Sequence, residues 1–179
     1  MNNVEKLLQY TYSEMYINGY QAANTTKILE NSGINKGTMY HYFKNKEDLA
    51  LRVLDEILKP KVAALYNCEE RVINKDNLIK LISSTDLIAQ KHGSMLVNLT
   101  AEMSGIDEAF REKLGEINMI RVECITTYLD TIFVGKDNTN MAKFIISAID
   151  GGVLAYKRSL NIQDFYNMVR NVEDYLNRC

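Results

Sequence analysis

The sequence predicts an all-α fold, and three observations carry that reading. Apolar residues recur at steps of three and four along nearly the whole chain, the spacing of one helix face. No stretch shows the alternating apolar and polar pattern of a half-buried strand. Proline occurs once in 179 residues, at Pro60, and glycine nine times, too little punctuation for a loop-rich β architecture. Hydrophobic residues make up 46% and charged residues 25%, an ordinary composition for a chain able to bury a sizeable core. At this length we expect one compact unit, or a small module fused to a larger one.

The elements follow in order. Val4, Leu7, Leu8, Tyr12, Met15 and Tyr16 form the first stripe, and Asn18-Gly19 is expected to stop that helix by offering a left-handed position. Asn24 is a good N-cap for a helix through Ser32, with Ile28 and Leu29 inward and Gly33 just past its end. A short helix covers about Lys36 to Phe43. Asn45 caps the next, whose first turn holds Glu47 and Asp48, where the helix dipole favours acids. That helix carries Leu49, Val53, Leu54, Ile57 and Leu58. Because the pattern resumes at Val62, Leu65 and Tyr66, Pro60 reads as a kink or short break.

Longer helices follow. Leu78, Leu81, Ile82, Thr85 and Ile88 define one, ending near His92-Gly93. Met95, Leu96, Leu99 and Met103 define another, stopped by Ser104-Gly105. Asp107 caps a helix with Phe110, Leu114, Ile117, Cys124, Tyr128 and Ile132 on its stripe. Residues 135–138 make a turn. Met141, Phe144, Ile145, Ala148, Ile149, Gly152 and Ala155 form the next stripe, and Ile162, Phe165, Tyr166, Val169, Val172 and Leu176 the last. About nine helices result.

The net charge of −2 excludes a generally basic coat for nucleic acid but leaves room for a local basic face. Residues 20–46 hold Lys27, Lys36, Lys44 and Lys46 against Glu30, a local charge of +3 that leaves −5 for the rest. No apolar run approaches the roughly 18 residues that span a bilayer. The N-terminus lacks a basic region followed by a long apolar stretch, so neither a signal peptide nor a membrane partner is expected. Cys68, Cys124 and Cys179 are far apart, odd in number and form no CxxC pair. On that basis a disulfide framework or zinc site is not expected, and a cytoplasmic location is.

An enzyme reading fares badly. His41 and His92 are too few and too separated for a typical triad or metal site, and no phosphate-binding glycine loop or HExxH motif is present. Neither a metal nor a cofactor is expected.

The functional signal lies in residues 24–46, NTTKILENSGINKGTMYHYFKNK. Two short helices joined by a tight glycine-containing turn make a helix-turn-helix, whose second helix enters the major groove. That helix is rich in groups suited to DNA. Lys36 offers a cation, Gly37 permits close approach, and Thr38, Tyr40, His41 and Tyr42 offer hydrogen bonds and flat faces. Met39 and Phe43, four apart, read as its buried anchors.

Residues 19–49 resemble the DNA-binding domain of the tetracycline-repressor (TetR) family of bacterial transcription regulators. The resemblance rests on Gly33-Ile34-Asn35-Lys36-Gly37-Thr38-Met39-Tyr40-His41-Tyr42-Phe43, followed by Lys46-Glu47-Asp48-Leu49. It is clear over about the first 60 residues and generic beyond. It departs from the family pattern at Ala23 and Asn24, where a Thr-Thr/Ser pair is usual, at Leu29 (usually Ala) and at Asn35 (usually Ser).

The resemblance implies a DNA-binding domain over residues 1–48 and a helical ligand-binding and dimerisation domain over 49–179. It implies that Thr25 bonds a phosphate, that Thr26 reads a base, and that Lys36, Thr38 and His41 meet base edges or nearby phosphates, with Gly37 allowing the close approach. Tyr40 and Tyr42 would clamp the backbone, and Lys46 would hold a phosphate. The helix from Lys46 to about Leu58 would be the lever linking reading head to core.

For the C-terminal part it implies a homodimer on a palindromic operator and a small-molecule effector of unassigned identity. Gly151-Gly152 interrupts an otherwise good helical stripe, which suits either a break or the close approach of a partner helix. The expected dimer residues are Ile145, Ala148, Gly151, Gly152, Phe165, Val169 and Val172. Polar or sulfur-bearing residues on apolar helices are the expected pocket lining: Tyr66, Asn98, Glu102, Cys124, Tyr128 and Tyr156. Residues 92–105 resemble a family variant with Gly-Cys at the start of its sixth helix. Ser94 stands at the Cys position, which argues against a redox sensor there. The function expected is therefore a ligand-responsive repressor. The alternative from another class is a helical small-molecule-binding or interaction protein with a vestigial helix-turn-helix.

Overall fold

The computed structural model describes residues 1–84 and 92–179, and every described element of regular structure is helical. Thr85 and Ile88 of the stripe expected from Leu78 onward lie outside the described residues. The chain divides into two compact units, residues 1–62 with 95–117, and residues 63–94 with 118–179.

The first unit begins with α1 (Asn3–Ala22). The Asn2 side chain accepts the Glu5 N–H while the Glu5 carboxylate accepts the Asn2 N–H, a capping box that satisfies two otherwise orphaned donors. Leu7, Leu8 and Met15 of its apolar stripe are buried. Gly19 adopts φ 78°, ψ 174°, the positive-φ conformation expected. The chain bends there instead of stopping, and one further turn reaches Ala22.

Next come α2 (Thr25–Ser32), α3 (Lys36–Tyr42) and α4 (Lys46–Val53). Each starts on an asparagine. Asn24 accepts the Thr26 N–H at 2.9 Å, Asn35 the Thr38 N–H at 2.8 Å and Asn45 the Asp48 N–H at 2.8 Å. Gly33 takes the left-handed conformation after α2. Helical backbone runs on from α4 through a π-helical turn, Leu54–Leu58, into α5 (Lys59–Leu65). The Lys59 N–H bonds to the Leu54 carbonyl, five residues back. The wider turn lies immediately before Pro60, which has no N–H to donate and would crowd an α-helical carbonyl four residues earlier. A local change of helix type therefore answers the kink-or-break expectation.

The first unit is completed by α7 (Met95–Met103) and the start of α8 (Glu108–Ile132). Asp107 caps α8 as expected, accepting the Phe110 N–H at 3.0 Å. Leu7, Met39, Phe43, Leu49, Leu99 and Phe110 are all essentially solvent-free in one apolar cluster. A boundary at 48/49 drawn by chain order does not coincide with the compact units. The apolar face of α7 brings residues 95–103 into the core shared with α1.

The second unit contains α6 (Lys75–Ile82), the rest of α8, α9 (Thr139–Ser159) and α10 (Ile162–Arg178). On α9 the buried face is Ala142, Ile145, Ile146, Ile149, Gly152 and Val153. The stripe expected from spacing spans this face and a second one, since Phe144 is 49% exposed and Ala148 half-buried. At Gly152 a Cβ would lie 2.8 Å from Met168 Cε and 3.2 Å from Met168 Cβ. The close helix for which a glycine was expected is thus α10 of the same chain. Gly151 faces open space. Ile145, Phe165, Val169 and Val172 are likewise buried within the single chain.

Candidate nucleic-acid interface

The reading head is built on Met39 and Phe43, which are 0% and 1% exposed. Because they lie one turn apart, they turn a single stripe of α3 into the core, and the rest of this short helix faces outward. Lys36, Gly37, Tyr40, His41 and Tyr42 are exposed and Thr38 half-buried. The Lys36 ammonium lies 5.8 Å from the Tyr40 ring centroid, and the His41 and Tyr42 rings meet edge-on at 5.0 Å. A Cβ at Gly37 would meet only Asn35 Oδ1, at 3.4 Å, so the start of α3 is open to close approach. Lys27 and Lys44, counted in the sequence only as charge, are exposed as well.

At the start of α2, Thr25 is half-buried and Thr26 exposed. The Thr26 N–H is already taken by the Asn24 cap. Lys46 differs from the other nominated cations. Its ammonium donates to the Gln21 carbonyl at 3.1 Å and lies 4.7 Å from the Tyr20 ring centroid. Burial pushes its pKa below the usual lysine value, partly offset by the charges of Glu102 and Glu14. It therefore ties α4 to the end of α1.

Glu102 joins the same knot. Its carboxylate accepts the Tyr20 N–H at 2.9 Å and the Gln21 N–H at 2.7 Å, covering donors freed by the bend at Gly19. Sequence reasoning nominated Glu102 for a ligand pocket. Its partners lie 82 and 81 residues away, so no local signal could have found them.

The other nominated pocket residues separate. Asn98 is half-buried on α7 in the first unit with Glu102, whereas Tyr66, Cys124, Tyr128 and Tyr156 belong to the second. The six residues are thus divided between the two units. In the second unit Tyr66 is buried beneath Arg121, whose guanidinium carbon lies 5.6 Å from its ring centroid. Arg121 forms a forked pair with Asp150, at 2.5 and 3.2 Å, and donates to Asn118 at 3.1 Å. Desolvation opposes its charge, but Tyr66 and Asp150 outweigh that and hold its pKa above the usual arginine value. Tyr128 is wholly buried, and its hydroxyl has no hydrogen-bond partner among the described residues.

Cys124 is bonded to Cys68, with the two Cα atoms 5.8 Å apart. This overturns the expectation that the cysteines stay unpaired. They are separated by 56 residues, and spacing along the chain says nothing about a pair that only folding brings together. Cys179 is free and exposed.

These features define a helix-turn-helix DNA-binding protein: two capped short helices, the second anchored by two side chains and presenting cation, hydroxyl and aromatic groups outward. Residues 7–53 match the family described as bacterial regulatory proteins, tetR family. The helix-turn-helix part of the chain is therefore similar to the DNA-binding region of that family. It is 29% identical over 174 residues to an uncharacterised HTH-type transcriptional regulator from Lactococcus lactis, covering 90% of this chain and 87% of that protein. Over 103 residues it is 31% identical to the fatty acid metabolism regulator protein of Bacillus subtilis, covering 56% of this chain and 52% of that one. The reduced form of E. coli NemR shares the fold, with a TM-score of 0.84 at 19% identity over 97% of this chain and 96% of that chain.

Proposed function

We propose that this chain is a transcriptional regulator of the tetR family, a homodimeric repressor released from a palindromic operator by a small-molecule effector and acting in the cytoplasm. The observation that carries the DNA-reading part is the two-faced α3. Its buried Met39 and Phe43 fix the helix while Lys36, Thr38, Tyr40, His41 and Tyr42 remain available to a duplex. Phosphate contacts from Lys36, Tyr40, Tyr42 and Thr25 would set orientation, and His41, Thr38 and Thr26 would meet base edges.

Dimerisation is supported by the second face of α9. Phe144, Ala148 and Gly151 recur at steps of four and three, away from the buried stripe. Leu154 and Tyr175 are exposed nearby in sequence or space, the Tyr175 ring lying 5.2 Å from that of Phe144. Of the expected interface residues, Ala148 and Gly151 suit this face, and the buried ones support it from behind. Two-fold symmetry would then set two α3 helices about 34–36 Å apart, one turn of DNA.

Effector binding is supported by the orphaned Tyr128 hydroxyl. A buried polar group without a partner costs about 1–3 kcal/mol, which a polar ligand atom would recover. An effector releases the operator only by binding the other conformation better, and a hundredfold loss of affinity needs about 2.7 kcal/mol of coupling. The test is fluorescence anisotropy with duplex from upstream of the protein's own gene, alongside sedimentation of the free protein. Binding no tighter than to a scrambled duplex, or a monomer at operator-binding concentrations, refutes the reading.

A further inference from the structure

We infer that Cys68 and Cys124 are a reversible dithiol–disulfide switch, oxidised by hydroperoxides and reduced by dithiols, whose state sets the affinity for operator DNA. The inference rests on the regulator reading above and adds a second input to it.

The two sulfurs occupy different settings. Cys68 is half-buried on the irregular segment after α5, and Cys124 is 5% exposed within α8. A Cα separation of 5.8 Å is ordinary for a bridge, so the bond forms without moving either backbone far. One reachable thiol on a loop facing one sheltered thiol on a helix is the arrangement of an attacking and a resolving cysteine. The guanidinium of Arg71 folds back onto the Leu65 carbonyl at 2.9 Å, and that of Arg121 lies over Tyr66. Both arginines thus hold the chain on either side of Cys68, and the exposed Glu69 and Glu70 follow it.

The chemistry balances. The Cys68 thiolate attacks the outer oxygen of a hydroperoxide, forming a sulfenic acid and releasing an alcohol, or water when the oxidant is hydrogen peroxide. The Cys124 thiol displaces hydroxide from that sulfur, forming the S–S bond and releasing water with its proton. A dithiol reverses the process by two exchanges and is itself left as a disulfide.

The link to DNA runs along the chain. Helical backbone continues from Lys46, at the base of the reading head, through the π turn to Leu65, three residues before Cys68. Tyr66 and Arg121 already join the same two stretches non-covalently, so the disulfide adds a second, breakable tie beside a standing one. The π turn is where this run departs from α-helical hydrogen-bond register, between α4 and the segment that carries Cys68. Tying or freeing the far end of the run therefore biases how α4 is held.

The experiment uses the full chain carrying Cys179→Ser, to exclude intermolecular bridges. Protein is treated with hydrogen peroxide, then with dithiothreitol, and each form is alkylated, digested and mapped by mass spectrometry. Operator affinity is read by anisotropy on the same samples. The expected result is a Cys68–Cys124 peptide that appears with peroxide and disappears with dithiothreitol, and an affinity change of at least tenfold, about 1.4 kcal/mol. That change should vanish in Cys68→Ser and in Cys124→Ala, each of which keeps one cysteine and tests folding separately. A bond that never forms, a bond that native protein will not surrender to dithiothreitol, or cycling with unaltered affinity overturns the inference. If neither form binds DNA while the peptide cycles, the regulator reading fails instead, and the switch loses its output with it.

Discussion

The Glu102 carboxylate lies where a side chain at Gly19 would have to go: a Cβ there would come within 2.6 Å of Glu102 Oε2. The backbone at Gly19, φ 78° and ψ 174°, belongs to a region open essentially to glycine alone. The bend and the carboxylate that closes it are therefore one feature. It fixes the direction in which the chain leaves α1 for the helix-turn-helix.

Gly19→Ala should destabilise the fold by about 1–3 kcal/mol through backbone strain, before the clash is counted. For a chain of this size that lowers the thermal midpoint by about 2–10 °C, measurable by circular dichroism. Glu102→Gln keeps the shape but loses the charge and one of the two accepting oxygens, setting its NH2 against a backbone N–H, and about 1–3 kcal/mol is the expected cost. An unchanged midpoint in both variants would separate Glu102 from the bend.

Tyr40→Ala should weaken binding to every duplex tested while leaving the melting curve in place, since the ring is 48% exposed. Lys36→Ala should do the same and reduce the slope of log affinity against log salt by about one. A loss confined to one sequence would move that residue from backbone contact to base reading.

Phe43→Ala and Met39→Ala should cost about 2–5 kcal/mol each in urea denaturation, the usual range for emptying a well-packed site. Both should abolish operator binding at temperatures where the wild type binds. Full stability in either variant would show that α3 is not held by these anchors.

Asp150→Ala should be more damaging than its exposure suggests. It leaves the Arg121 guanidinium buried without its partner, a change that costs about 3–5 kcal/mol. Arg121→Met, which removes the charge and fills the space, should cost less. The urea midpoints of the two variants give the order directly, and the reverse order would mean that the pair is solvated.

Short-range features were legible because their causes are local. Asn24, Asn35 and Asn45 each reach an N–H two or three residues on, and Asn24 and Asn45 were readable as caps from the residues that follow them. Met39 and Phe43 were readable as anchors from a four-residue step. Asn35, noted only as a departure from the family pattern, caps α3 as a serine would. The stripe on α9 was misplaced for a related reason. Two apolar faces on one helix merge into one broad stripe when read by spacing, and only the packing of α10 at Gly152 tells them apart.

By itself the sequence determined the helical class, the capped helix-turn-helix and the outward chemistry of α3, because each depends on residues within one or two turns of one another. Tertiary structure alone decided that Glu102 serves the reading head, that Lys46 turns back onto Gln21, and that Cys68 meets Cys124. Those pairings are made by side chains 25 to 82 residues apart. Their proximity is set by how apolar faces pack, and a one-dimensional pattern carries no record of it.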